Sequence, residues 1–215
     1  MKRVALVALA ALVPATAAQA QELDALATMN LHLTQPSYSG CADAAFDGID
    51  AGTCTSLASA AVDGAAFLWV VASREGGFAG GIGGAQFGLD HTGVDPTGWS
   101  LCTGGSEIPD GTWPASGSGN AVTWGGGCYT SAGANAMIGF LAVPNGATGS
   151  ASVTPDHRIL DTLWADCTPD TYGICEDNLA SADLAGGTLP VCGDQCDVGT
   201  PVDEVSWGHV KSLFN

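Results

Sequence analysis

Apolar and polar residues alternate with a period of two along much of the chain, the signature of strands and not of helices. In 27–34 (ATMNLHLT), Met29, Leu31 and Leu33 alternate with Asn30 and His32, as in a strand with one buried face. Residues 65–73 (AAFLWVVAS) are apolar without a break, long enough for a central strand and short for a buried helix. Ala85, Phe87 and Leu89 then alternate with Gln86, Gly88 and Asp90. The same reading predicts strands at 98–103, 120–125, 135–143, 149–154 and 158–165. Gaps between them are mostly turn-length and no helical period is interleaved, which points to an all-β, antiparallel β-sandwich and away from a parallel α/β sheet.

The segments between strands are marked by turn formers. Residues 35–64 carry Pro36, Gly40, Gly48, Gly52 and Gly64 and read as a long loop; 104–119, with Trp113 inside it, reads as another. Seven of the thirteen residues from Gly76 to Gly88 are glycine, and with no lysine among them the tract is backbone geometry feeding a strand, not a phosphate cradle. Residues 21–165 are thus assigned to the sandwich and 166–200 to a Cys-rich extension of it. The tail 201–215 changes character. Thr200-Pro201-Val202-Asp203 carries the signals of a helix start, and Val202, Val205, Val210 and Leu213 share one helical face, so a short amphipathic C-terminal helix is expected. Trp207, Val210, Leu213 and Phe214 make this tail a candidate docking element, either on its own sandwich or on a partner.

Residues 1–20 pair a basic start (Lys2, Arg3) with the ten-residue apolar run Val4 to Val13 and end in Ala18-Gln19-Ala20. That is the grammar of a signal peptide, and it implies an exported protein, secreted or held at the cell surface. An oxidising destination in turn makes Cys41, Cys54, Cys102, Cys128, Cys167, Cys175, Cys192 and Cys196 candidates for disulfides. Eight cysteines admit 105 connectivities. The simplest guess pairs neighbours: Cys41–Cys54, Cys102–Cys128, Cys167–Cys175 and Cys192–Cys196. No Cys-x2-Cys pair suggests zinc.

Charge narrows the field of partners. Acidic residues outnumber basic ones 22 to 5, and outside the leader the cations are Arg74, Arg158 and Lys211 alone. Three scattered cations cannot neutralise a phosphate backbone, so no nucleic-acid partner is expected. Nor does any later stretch approach a membrane span, so no membrane insertion of the mature chain is expected. An extracellular protein or a glycan remains.

One resemblance extends this reading. Gly84, Phe87-Gly88-Leu89-Asp90 and Gly98-Trp99-Ser100-Leu101-Cys102, followed by Trp113, Gly119 and Trp124, are similar to a pattern in exported, Gly-rich bacterial β-sandwich proteins with no assigned activity. Those proteins end in a tail similar to Ser206-Trp207-Gly208-His209-Val210-Lys211-Ser212-Leu213-Phe214. The Phe87-x-Leu89 strand also resembles the early core strand of cohesin-type and immunoglobulin-like modules. The resemblance implies an immunoglobulin- or cohesin-like sandwich and an exported life; it carries no activity across.

The search for chemistry is mostly negative. Nucleophile elbows, zinc-protease motifs and dinucleotide fingerprints do not occur, so no catalytic residue is assigned. Of the four histidines (His32, His91, His157, His209), two sit beside acids as Asp90-His91 and Asp156-His157. Neighbours on a strand point to opposite faces, so these are read as surface polar residues at strand ends. Trp99 and Trp124 are placed in the core by alternation, while Trp113 is left open between core and surface. Two sets of loop acids, Asp43, Asp47, Asp50 and Asp170, Glu176, Asp177, are candidate metal ligands, and Asp194 and Asp197 bracket Cys196. No cofactor is required; calcium is the ion these oxygens would suit. The favoured function is a non-enzymatic extracellular or cell-surface module with a structural or binding role. The alternative is an extracellular polysaccharide hydrolase using paired carboxylates.

Overall fold

The computed structural model describes residues 22–35, 41, 49, 51–102, 104–124, 127–130, 133–168, 170–193 and 196. The expected leader 1–20, the acids Asp43, Asp47, Asp50, Asp194 and Asp197, and the tail 201–215 with its expected helix lie outside the described residues. In chain order the strands are β1 (Ala27–Thr34), β2 (Ser59–Ala60), β3 (Ala66–Arg74), β4 (Ile82–Thr92), β5 (Thr97–Leu101), β6 (Ser106–Pro109) and β7 (Ser118–Thr123). They continue as β8 (Asn135–Val143), β9 (Ser150–Thr154), β10 (Thr162–Asp166), β11 (Thr171–Ile174), β12 (Ser181–Asp183) and β13 (Gly187–Thr188). A small sheet runs β1-β3-β8-β5 and a large one β11-β10-β4-β9-β12-β13-β2, with β7 on the other side of β4 and β6 beyond it. All strand pairs within the two sheets are antiparallel.

The main core lies between the sheets. Met29, Leu31, Leu68, Val70 and Ile138 of the small sheet face Phe87, Leu89, Val122, Val153 and Trp164 of the large one. Trp124 is buried here, and Trp99 and Trp113 pack against it with partial exposure. Trp99 also stitches the open edge of the sandwich: its indole N–H donates to Glu107 Oε2 at 2.7 Å, which accepts from Asn120 Nδ2 as well.

The far face of the small sheet is buried too. Trp69, Val71, Met137 and Phe140 form a second cluster under a cover that includes Cys41, Ile49, Leu57 and Cys102. Burial on both sides explains why β3 reads as an unbroken apolar run. Polar positions of β1 meet this cover through hydrogen bonds, as burial demands: Asn30 donates to the Val191 carbonyl and accepts from the Val191 N–H, and His32 Nδ1 lies 2.8 Å from the Leu57 carbonyl oxygen.

All eight cysteines pair, but not with their sequence neighbours. The bridges are Cys41–Cys102, Cys54–Cys192, Cys128–Cys167 and Cys175–Cys196, closing separations of 61, 138, 39 and 21 residues. The short-range guess fails because antiparallel ladders bring distant segments together. Cys41 and Cys54 tie the cover layer to the end of β5 and to the segment after β13, rather than closing one loop on itself.

Candidate binding face

β4 organises the outer face of the large sheet. Along one edge it pairs first with β10 (Gln86 opposite Leu163) and then with β9 (Gly88 opposite Thr154), so β9 and β10 form one interrupted strand. The interruption, residues 155–161, is a looped-out excursion opposite Phe87. Its neck is closed by the Asp156 N–H donating to the Asp161 carbonyl at 2.8 Å. The predicted strand at 158–165 is therefore shorter, beginning at Thr162.

Two cross-strand glycines make room for this excursion. Gly88 and Gly119 are register partners on β4 and β7. A Cβ on Gly88 would lie 2.5 Å from the Pro155 carbonyl oxygen, and one on Gly119 would overlap the Asp156 carboxylate. The excursion thus crosses the sheet through a channel that side chains would fill. Asp156, fully buried, fastens it: its carboxylate accepts from Gln86 Nε2 at 2.9 Å and from Arg158 Nε at 3.0 Å, while Arg158 Nη1 donates to the Ile108 carbonyl on β6. Asp156 was expected at the surface; the Arg158 guanidinium and the Gln86 amide explain how it is buried instead.

Beside this wall lies an uncharged floor. Register places Gly173, Leu163, Gln86, Ala121 and Ile108 in one row across β11, β10, β4, β7 and β6. Thr171, Ala165, Gly84, Thr123 and Ser106 form the next row. Their strand neighbours Trp164, Ala85, Phe87 and Val122 point into the core, so these ten face out. None carries a charge, in a chain with 22 acids. The rows enclose a shallow depression of about 210 Å3. Around it stand large apolar side chains in solvent: Leu23 (49% exposed), Ile108 (64%), Ile159 (43%) and Leu160 (80%). Leu160 is held at φ 58°, a left-handed conformation that costs a leucine about 1–2 kcal/mol. At the β11 edge the Tyr172 phenol stacks on Trp164 on the inner side of the sheet, where burial first, then Asp166, Asp170, Glu22 and Asp24, hold it above its ordinary range.

The paired-carboxylate chemistry meets a physical obstacle here. Asp110 and Asp156 lie 3.4 and 3.8 Å from His157 Nδ1, the pair of carboxylates that an imidazole brings together on this face. Asp110 is lowered to about 2 by the Thr112 hydroxyl and N–H, with the Gly119 N–H and His157 adding to them. For Asp156 burial works upward, but the Arg158 and Gln86 hydrogen bonds outweigh it and the carboxyl is lowered. A glycosidase needs one carboxyl that keeps its proton, and both of these are shifted the other way.

Other sequence-designated residues are dispersed. Asp170 precedes β11, and Glu176 and Asp177 follow it, so a strand's length separates them; among the described residues no three His, Cys, Asp or Glu side chains gather around a metal-sized site. His91 contacts the Val94 and Pro114 carbonyl oxygens at 2.8 and 3.2 Å, binding two loops together rather than its neighbour Asp90. Gln86, Ile108, Ala121, Leu163 and the Gly88–Gly119 pair escape a reading of the sequence, since only the register reveals that they adjoin.

Fold and face together define an antiparallel β-sandwich, braced by disulfides, with one neutral sheet surface. No family model matches the chain, and no curated protein matches it. Among solved structures, the cohesin module of a family 33 glycoside hydrolase from Clostridium perfringens ATCC13124 is similar, with a TM-score of 0.43 and 8% identity over 73% of this chain and 95% of that one.

Proposed function

We propose that this protein is an exported, non-enzymatic binding module that takes a polypeptide segment on the outer face of its large sheet. The observation that carries this reading is the two-row uncharged floor, ringed by exposed Leu23, Ile108, Ile159 and Leu160, on an otherwise acidic chain. Exposed apolar surface of this kind marks an interaction site. A depression of about 210 Å3 is smaller than the ~300–1,000 Å3 of small-molecule pockets and suits protruding side chains of a polypeptide. Arg74 and Arg158 are both engaged, by Asp24 and Asp156, which leaves the described surface no cation with which to attract an anionic partner.

A photo-activated cross-linking residue at Ala121 tests the reading. After irradiation of the exported protein, mass spectrometry should find a peptide segment joined at position 121 and none joined at a control position such as Thr92. Leu160→Asp should abolish the product. Capture of no peptide at 121, or equal capture at both positions, would overturn the proposal.

A further inference from the structure

The identity of the segment follows from where the chain runs next. Cys196 is bonded to Cys175, the residue after β11, and β11 is the strand that bounds the neutral floor on one side. Residues 197–215 therefore start at the edge of the face. Val205 lies nine positions beyond Cys196, a reach of up to ~30 Å. The floor spans five strands, ~19 Å at ~4.8 Å per strand. Every part of it is within range.

The chemistry of that segment matches the face. Val205 to Asn215 (VSWGHVKSLFN) holds Trp207, Val210, Leu213 and Phe214, contains no acid, and carries Lys211. Its apolar side chains suit a floor of Gly, Ala and Thr beside Leu163 and exposed Leu160. A second copy would bring the same large negative charge, which opposes pairing of two chains. A covalently tethered segment also works at an effective concentration in the millimolar range.

We infer that residues 201–215 of this same chain occupy the outer face of the large sheet in cis, so that any external partner must displace them. The inference rests on the reading of that face as a polypeptide-binding surface and names its first occupant.

The test compares the full chain with its Trp207→Ser/Leu213→Ser/Phe214→Ser variant. Methyl NMR should show shifts at Ile108, Ala121, Leu160 and Leu163 and none at core-facing Leu68 and Ile138, with both proteins sedimenting as monomers. A synthetic peptide of residues 201–215 should reverse those shifts in the variant and bind the wild-type chain about tenfold more weakly or worse, because its face is already covered. Unchanged face methyls in the variant would overturn the inference. So would a dimer that dissociates when the tail is altered, since the segment would then come from a second copy. Under the first of these outcomes, a foreign peptide cross-linked at Ala121 would leave the binding-module reading standing; its absence would bring both down.

Discussion

Burial strips water from the Asp156 carboxylate, and the hydrogen bonds of Arg158 and Gln86 replace it. Asp156→Asn keeps the shape and removes the charge, so the lost charge-assisted bonds should cost about 2–3 kcal/mol in urea unfolding. Gly119→Ala should destabilise for a different reason, since the new methyl overlaps the same carboxylate and the excursion must lift off the sheet. Asp156 and Asp166, like Asp110 at about 2, have carboxyl pKa values below the ordinary range. A carboxylate of this kind contributes stability that is complete above its unfolded value, near ~4, and lost as pH falls through its folded value. Urea midpoints should therefore hold steady down to about pH 5 and decline between about pH 4 and about pH 2, with a shallower decline in Asp156→Asn. Leu160 tests the opposite balance. Its side chain is mostly in solvent at a positive φ, so Leu160→Gly relieves strain at some entropic cost; thermal melts should move by no more than about 0.5 kcal/mol while capture at Ala121 is lost.

At the scale of elements, the apolar pattern located the strands of the small sheet, although β1, read as half-buried, is buried at all eight positions. The predicted strands 27–34 and 135–143 coincide with β1 and β8, and 65–73 differs from β3 by one residue. Periodicity misses β2 and β13, which are two residues each, β11 and β12, which are four and three residues long in the Cys-rich stretch, and β6, whose four residues are all exposed. It also misreads 158–161 as strand, because Ile159 and Leu160 supply the apolar positions of a ladder they never join. What takes them out of the ladder is nonlocal: the space over Gly88 and Gly119 and the Asp156–Arg158 pair. The disulfides were illegible for the same reason, and their spans make a prediction. If bridges act mainly on the unfolded chain, removing Cys54–Cys192, which closes 138 residues, should cost about 5 kcal/mol, and removing Cys175–Cys196, which closes 21, about 3. Denaturant titration of the paired Cys→Ala variants should preserve that order.

For the molecule as a whole, the two sheets differ in what covers them. Both faces of the small sheet are buried, one by the core and one by the disulfide-tied cover, whereas ten outward positions of the large sheet carry no charge and eight of them are at least partly exposed. Net charge of −17 keeps the chain dispersed at neutral pH, and light scattering should rise as pH approaches the isoelectric value of about 4.1. The interrupted strand has a further meaning for how such a module diversifies. β9 is held by β4 and β12, and β10 by β4 and β11, so neither depends on the residues that join them. The stretch 155–161 is in that sense a cassette. With Asp156, Arg158 and Asp161 kept as its anchor, the exposed tip at Ile159 and Leu160 can be rewritten while every ladder of the large sheet stays paired.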